Sequence, residues 1–212
     1  MRCEIDMTTD PRGAHFAYFC SLANPSAGVT VPVDVTALVQ QLNGHGFFLP
    51  FLWCVMRAVN SVPEFRRRIS EGKVWEFDVC PASCTVLKED GTYAYCRFHA
   101  DADYDTFYAA GKEALRRTKE SGDITESDED LLPCYFISSV PWLAYTQVVN
   151  PWGDGEDSNP RINWGKYEET NGRIMLPVSI FFHHGLADGL HIGRFYEQLQ
   201  QEMAQLCRYL SK

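Results

Sequence analysis

Apolar positions recur along this chain with two different periods, and turn residues mark where one gives way to the other. Residues 16–33, FAYFCSLANPSAGVTVPV, are rich in aromatic and β-branched side chains interrupted by Asn24-Pro25, which predicts two extended pieces around a turn. Residues 34–46, DVTALVQQLNGHG, place Val35, Leu38, Val39 and Leu42 on one helical face, with Asp34 or Thr36 as the cap and Gly44 as the stop. Residues 46–61 are almost wholly apolar and predict a helix buried on most sides, with Pro50 in its first turn. Between 73 and 99 the pattern becomes that of strands, KVWEFDV, CTVLKE and TYAYCRF, the last two joined by a hairpin at Asp90-Gly91. An amphipathic helix follows over 103–121, acidic at its start and basic towards its end, as the helix dipole favours. Residues 122–133 read as a solvated acidic loop. Two further strands are expected at 134–139 and 142–149, then a Gly/Pro/Asp-rich loop at 150–160. Asn171-Gly172 turns the chain into the long strand RIMLPVSIFF, and Ile192, Phe195, Leu199, Met203, Leu206 and Leu210 line one face of a closing helix. With no internal repeat and no separating linker, residues 1–212 are expected to form one α/β domain, a two-layer sandwich built on a mixed sheet.

Composition narrows the function without naming it. Hydrophobic residues make up 45% of the 212, enough for a full core. A formal charge of −9 and a pI near 5.1 argue against a nucleic-acid surface, although a local basic pocket for an anionic ligand remains compatible. The longest apolar run, FFLPFLWCVM, is too short to span a bilayer. The first ten residues carry acids where an export signal needs a basic start, so the chain is expected in the cytoplasm and its eight cysteines as thiols. Cys80 and Cys84 lack the paired CxxC sets of a zinc site.

The chemistry concentrates near the C-terminus. PVSIFFHHGLADGLHIG gathers His183, His184, Asp188 and His191 with Gly185 and Gly189 between them. Three readings stand: a metal site, a general base with its support, or polar residues at the mouth of a turn. A metal site would want His184, Asp188 and His191 on one helix face, but the two glycines disfavour helix there and the strand runs directly into His183.

The string HHGLADG resembles the HHxxxDG motif of the chloramphenicol acetyltransferases. PRGAHFAYF is similar to that family's R-x-x-H-F segment, PEFRRRISEGKVWEFDVCPASCTVL to its PEFR … TV region, SSVPW to its S-x-x-PW stretch and NWGKY to its T-x-G-KY stretch. These five motifs occur in the family's order over nearly the whole chain. The resemblance implies the CoA-dependent acyltransferase fold and transfer of an acetyl group from acetyl-CoA to a hydroxyl of a small acceptor, chloramphenicol or a similar compound, through a ternary complex and without a metal. It also implies a homotrimer whose active sites lie at subunit boundaries, with neither nucleic acid nor membrane as partner.

The resemblance also implies roles. His184 becomes the general base; an imidazole, with its unperturbed pKa of about 6.5, suits removal of a hydroxyl proton near neutral pH. Asp188 pairs with Arg12 and holds the turn. Ser138 donates to the oxyanion, although Ser139 beside it is the alternative that strand direction alone leaves open. Trp142, Lys166 and Tyr167 fall where the family holds coenzyme A, and Tyr18 and Phe19 where it contacts the acceptor. Two acceptor positions depart from the pattern: the threonine of T-x-G-KY is Asn163, and an aromatic position is Ala27, with Pro25 replacing a cysteine just before it. Those departures keep open a different hydroxyl acceptor, and a non-catalytic or metal-binding relative of the fold is the reading from another class.

Overall fold

The computed structural model describes residues 1–42, 44–99, 101–121 and 131–212. Most of the expected acidic loop at 122–133 therefore lies outside the described residues. The strands are β1 Arg2–Ile5, β2 Ser26–Asp34, β3 Arg67–Ser70, β4 Lys73–Phe77, β5 Ala82–Leu87, β6 Tyr93–Phe98, β7 Tyr135–Ser139, β8 Arg161–Trp164, β9 Glu168–Thr170 and β10 Arg173–His183. The helices are α1 Gly13–Cys20, α2 Thr36–Gln41, α3 Phe48–Asn60, α4 Tyr104–Ser121 and α5 Gly189–Leu210. One sheet runs β2-β10-β8-β7-β5-β6, with β9 also paired to β10, and a smaller one runs β1-β4-β3. The larger sheet is mixed: β7 lies parallel to both β5 and β8, while the other pairings are antiparallel.

The hydrophobic pattern explains the two layers. On β10, Val178, Ile180 and Phe182 are buried, and they join Ile162, Ile137, Cys84 and the inward faces of α3 and α5 in the main core. Helix α3 is buried along nearly its whole length because it packs on the sheet with α4 and α5 as neighbours beside it. In α5, Phe195, Leu199, Met203 and Leu206 are buried at the predicted spacing, with Ile192 and Leu210 packed at the margin. The Asn171-Gly172 and Glu71-Gly72 hairpins place both of their residues at positive φ, the primed-turn geometry that matches strand twist.

Two segments differ from expectation. Residues 13–20 form a helix, because Phe16 and Phe19, three apart, turn towards His183 and His184 instead of pairing with a strand. Residues 142–149 are not a strand. They pass over the sheet face away from the helices, with the Lys166 amide donating to the Leu143 carbonyl at 2.7 Å. Strands β1, β3, β8 and β9, of three or four residues each, were too short for the hydrophobic pattern to expose.

Candidate active site

Strand β10 ends at His183 and α5 begins at Gly189, so His184 lies in the intervening turn. Arg12, at the start of α1, holds that turn at three points. Its Nη1 donates to Asp188 Oδ2 at 2.5 Å, its Nη2 to the His184 carbonyl at 3.2 Å and its Nε to the Gly185 carbonyl at 3.4 Å. Asp188 caps α5, its Oδ1 accepting from the Leu190 amide at 3.0 Å. The cap is closed from the other side by His191, whose Nδ1 accepts the Asp188 amide proton at 3.0 Å. The ring proton therefore sits on Nε2, 3.4 Å from Glu64 Oε1. Asp188 Oδ1 also lies 2.9 Å from His191 Nδ1.

These contacts set the local charges. Burial pushes the Asp188 carboxyl up, but hydrogen bonds from Arg12 and Leu190 and the nearby positive charges outweigh it and hold the group at about 2. The His191 hydrogen bond, working against burial, holds Glu64 at about 2 as well. His183 is packed inside, with Nδ1 accepting the Gly185 amide at 3.1 Å, and its pKa falls to about 4 because burial penalises the cation. A backbone hydrogen bond with Gly155 and the nearby Asp157 charge offset only part of that burial.

His184 is placed differently. Its ring stacks on Phe19 with centroids 4.0 Å apart and planes within 6°, and Phe182 meets it edge-on at 6.1 Å. Nδ1 is buried without a partner, which leaves Nε2 as the ring's accessible edge. Tyr18, on the same helix as Phe19, is 62% exposed beside this turn, and Ala27 sits on β2 opposite Phe182.

A second group of candidates lies on the sheet face away from the helices. In-register pairing sets Ser138 of β7 beside Asn163 of β8, and Asn163 beside Ser179 of β10. The row extends through hydrogen bonds between Ser138 Oγ and Thr85 Oγ1 at 3.1 Å and between Ser179 Oγ and Thr30 Oγ1 at 2.8 Å. Ser138, Thr85 and Asn163 line a cavity of ≈ 520 Å³, over which Val148, Asn150 and Pro151 close. Strand alternation sends Ser139 the other way, into a ≈ 430 Å³ cavity with Phe47, Phe48, Lys166 and Tyr167. That second cavity combines a cation with aromatic walls, the chemistry a phosphate-bearing thioester with a slender arm would need. Trp142 does not line it and is 65% exposed.

The candidates thus fall into separate places. Arg12, Tyr18, Phe19, His184 and Asp188 gather at the β10–α5 turn, Ser138 and Asn163 in the first cavity, and Lys166 and Tyr167 in the second. Ser138 shares the level of Ser179, two strands from β10, and His184 follows Ser179 by five residues, just past the end of β10. Strand spacings put the two roughly 19 Å apart in one chain. Among the described residues no three His, Cys, Asp or Glu side chains converge as metal ligands. All eight cysteines are free, and among the described residues no helix is long and apolar enough to cross a membrane. Sequence reasoning missed Thr85, Asn150 and Glu64, whose contacts are made across strands and between distant segments.

Comparison with known proteins bears on this arrangement. A family model described as chloramphenicol acetyltransferase matches residues 2–200. A chloramphenicol acetyltransferase from Streptomyces acrimycini is 30% identical over 206 residues, covering 94% of this chain and 93% of its own. A solved chloramphenicol acetyltransferase structure superposes with a TM-score of 0.88 at 29% identity, covering 96% of this chain and all of the other. The dihydrolipoamide acetyltransferase of Azotobacter vinelandii, at 19% identity and a TM-score of 0.64 over 94% of this chain and 89% of its own, shares the fold.

Proposed function

Because the chain belongs to the chloramphenicol acetyltransferase family, we propose that it moves an acetyl group from acetyl-CoA to a hydroxyl of chloramphenicol or a closely similar acceptor, as one domain over residues 1–212. His184 Nε2 takes the acceptor's hydroxyl proton while that oxygen bonds to the thioester carbonyl carbon. The carbonyl π pair moves onto oxygen, and the resulting oxyanion accepts a hydrogen bond from Ser138 Oγ. Collapse restores the carbonyl and breaks the C–S bond, and the departing thiolate takes the proton back from His184. The products are an acetyl ester and free thiol, with no acyl-enzyme between.

The observation that carries this reading is the Arg12 clamp, which joins Asp188 to the carbonyls of His184 and Gly185 and so aims one imidazole edge outward. Lys166 and Tyr167 are assigned to coenzyme A. The separation of His184 from Ser138 supports completion of each site between copies of the chain, in a cytoplasmic homotrimer. Ala27, small where it faces Phe182 across the strands, favours a second acceptor reading within the same chemistry, a hydroxyl compound bulkier than chloramphenicol near that wall.

Thiol release from acetyl-CoA, followed with chloramphenicol and with a panel of small alcohols, tests both. Turnover with chloramphenicol is expected. Turnover with other alcohols alone moves the acceptor, and thiol release with none of them rejects the transferase reading.

A further inference from the structure

Behind the Arg12 clamp lies a second ion pair that the transfer chemistry does not use. Arg67 opens β3 opposite Glu76 of β4, and its Nε donates to Glu76 Oε2 at 3.0 Å. The other end of the guanidinium reaches the segment that leads into α1. There Nη1 lies 3.2 Å from Asp10 Oδ2, and both side chains are only 12% exposed. The second oxygen of Asp10 accepts the Arg12 amide at 2.8 Å. One carboxylate thus joins two arginines, through the side chain of Arg67 and the backbone of Arg12.

The link runs on to the imidazole. Arg12 holds the turn through its guanidinium, so the place of residue 12 decides how His184 is aimed. Gly13, next along the chain, is seated on the residues just before it: a Cβ there would lie 2.1 Å from the Met7 carbonyl oxygen. Residues 7–13 therefore move as a unit, and Asp10 carries its ionic tie to β3. Apolar contacts also join these parts, since Met7 and Phe16 pack with Ile69, Val74 and Leu186. Such contacts bring surfaces together without fixing direction, whereas a planar guanidinium shared by two carboxylates sets an angle as well as a distance. The Arg67 charge also helps to hold the Glu64 carboxyl low, on the far side of His191.

We propose that Arg67 is a positioning residue for His184, acting through Asp10 on Arg12. The inference rests on the acetyltransferase reading above. Steady-state kinetics test it with acetyl-CoA and chloramphenicol, or the small alcohol of the panel that turns over fastest. The variants are Arg67→Met, which loses the charge, and Asp10→Asn, which keeps an acceptor for the Arg12 amide and loses only the pairing charge. Each is expected to lower kcat about tenfold, the scale on which remote misplacement slows chemistry. KM for either substrate should stay within about twofold, because none of these residues lines either cavity. The same exchanges made in Arg12→Ala separate positioning from general support. With no guanidinium left to aim, either should lower kcat by less than about twofold more. Asp10→Asn alters almost no volume, so it keeps the measurement open if Arg67→Met fails to fold. Native kcat in Asp10→Asn, or a further tenfold loss in the Arg12→Ala background, overturns the inference while leaving acetyl transfer standing. Thiol release by the native protein with none of the alcohols overturns the transferase reading and this one with it.

Discussion

Arg12 and Asp188, 176 positions apart, meet through an ion pair that also ties down the two carbonyls leading away from His184. The side chain of Arg12 is 14% exposed and that of Asp188 37%. The pair thus sits between the surface regime, where such contacts contribute little, and the buried regime, where removing one partner costs several kcal/mol. Arg12→Ala strands the carboxylate and frees the turn. A loss of about 2 kcal/mol is expected, together with a fall in kcat that exceeds any change in KM, because the imidazole loses its aim while the cavities remain. Denaturant melts and steady-state kinetics on the same preparation check both parts; full kcat with lowered stability would show that the clamp does not position His184.

Glu64 and Asp188 make acid the informative side of the stability profile. Both carboxyls are lowered to about 2, from ordinary values of 4.5 and 3.8. A carboxyl depressed in the folded state adds stability at pH values above its unfolded pKa and gives it up as pH falls through the folded one. Stability should therefore drain between about pH 4.5 and pH 2. Glu64→Gln should lower Tm at pH 6 and match the native protein near pH 2. A gap between the two that persists at pH 2 would mean that Glu64 acts by packing and not through its charge.

Much of this architecture was legible because some residues announce their environment locally. Phe195, Leu199, Met203 and Leu206 repeat at helical spacing, and the run into His183 has the continuous apolar character of a covered strand. Residues 13–20 misled because aromatic side chains favour strands when nothing else intervenes, whereas Phe16 and Phe19 here have histidines to pack on. Residues 142–149 misled because only Tyr145 and Val148 turn onto the sheet, while Trp142, Leu143 and Val149 stay exposed and the segment joins no strand. Arg12 carries no mark of its partner in composition or periodicity, and only the resemblance of the ordered motifs tied it to Asp188. Asn150, Thr85 and Glu64 acquire meaning from neighbours 13, 53 and 127 positions away, a kind of information that no local window holds.

The separation of His184 from Ser138 gives a test of shared sites. His184→Ala alone should lower kcat by roughly 10²–10⁴-fold, and Ser138→Ala by about 10²–10³-fold, with thermal stability nearly unchanged in both. If each site takes its base from one copy and its oxyanion donor from the next, unfolding and refolding the two variants together rebuilds intact sites. Random mixing in a closed ring leaves about a quarter of the sites with both groups native. Recovery of activity near that fraction is expected in the mixture and not in either variant refolded alone. No recovery, in mixtures shown by mass measurement to contain both chains, would place the two groups in the same copy's site and count against the interfacial arrangement.

Gly165 provides a way to disturb the cavity proposed for the coenzyme without touching a side chain that faces it. A Cβ at this position would lie 2.5 Å from the Leu143 carbonyl oxygen and 3.0 Å from both Pro177 Cγ and Tyr145 Cδ1. Two of these neighbours belong to the segment crossing the sheet, and the third belongs to β10, which is fixed by pairing on both edges. The segment is the part that must yield. Its displacement would break the 2.7 Å bond from the Lys166 amide to Leu143 and shift Lys166 and Tyr167 within the ≈ 430 Å³ cavity. Gly165→Ala is therefore expected to cost about 1–3 kcal/mol of stability through overpacking and to raise KM for acetyl-CoA by about tenfold. Calorimetric titration with coenzyme A separates the binding effect from chemistry. Native affinity for coenzyme A in a folded but destabilised variant would detach Lys166 and Tyr167 from the cofactor and send the search for its pocket elsewhere on the sheet.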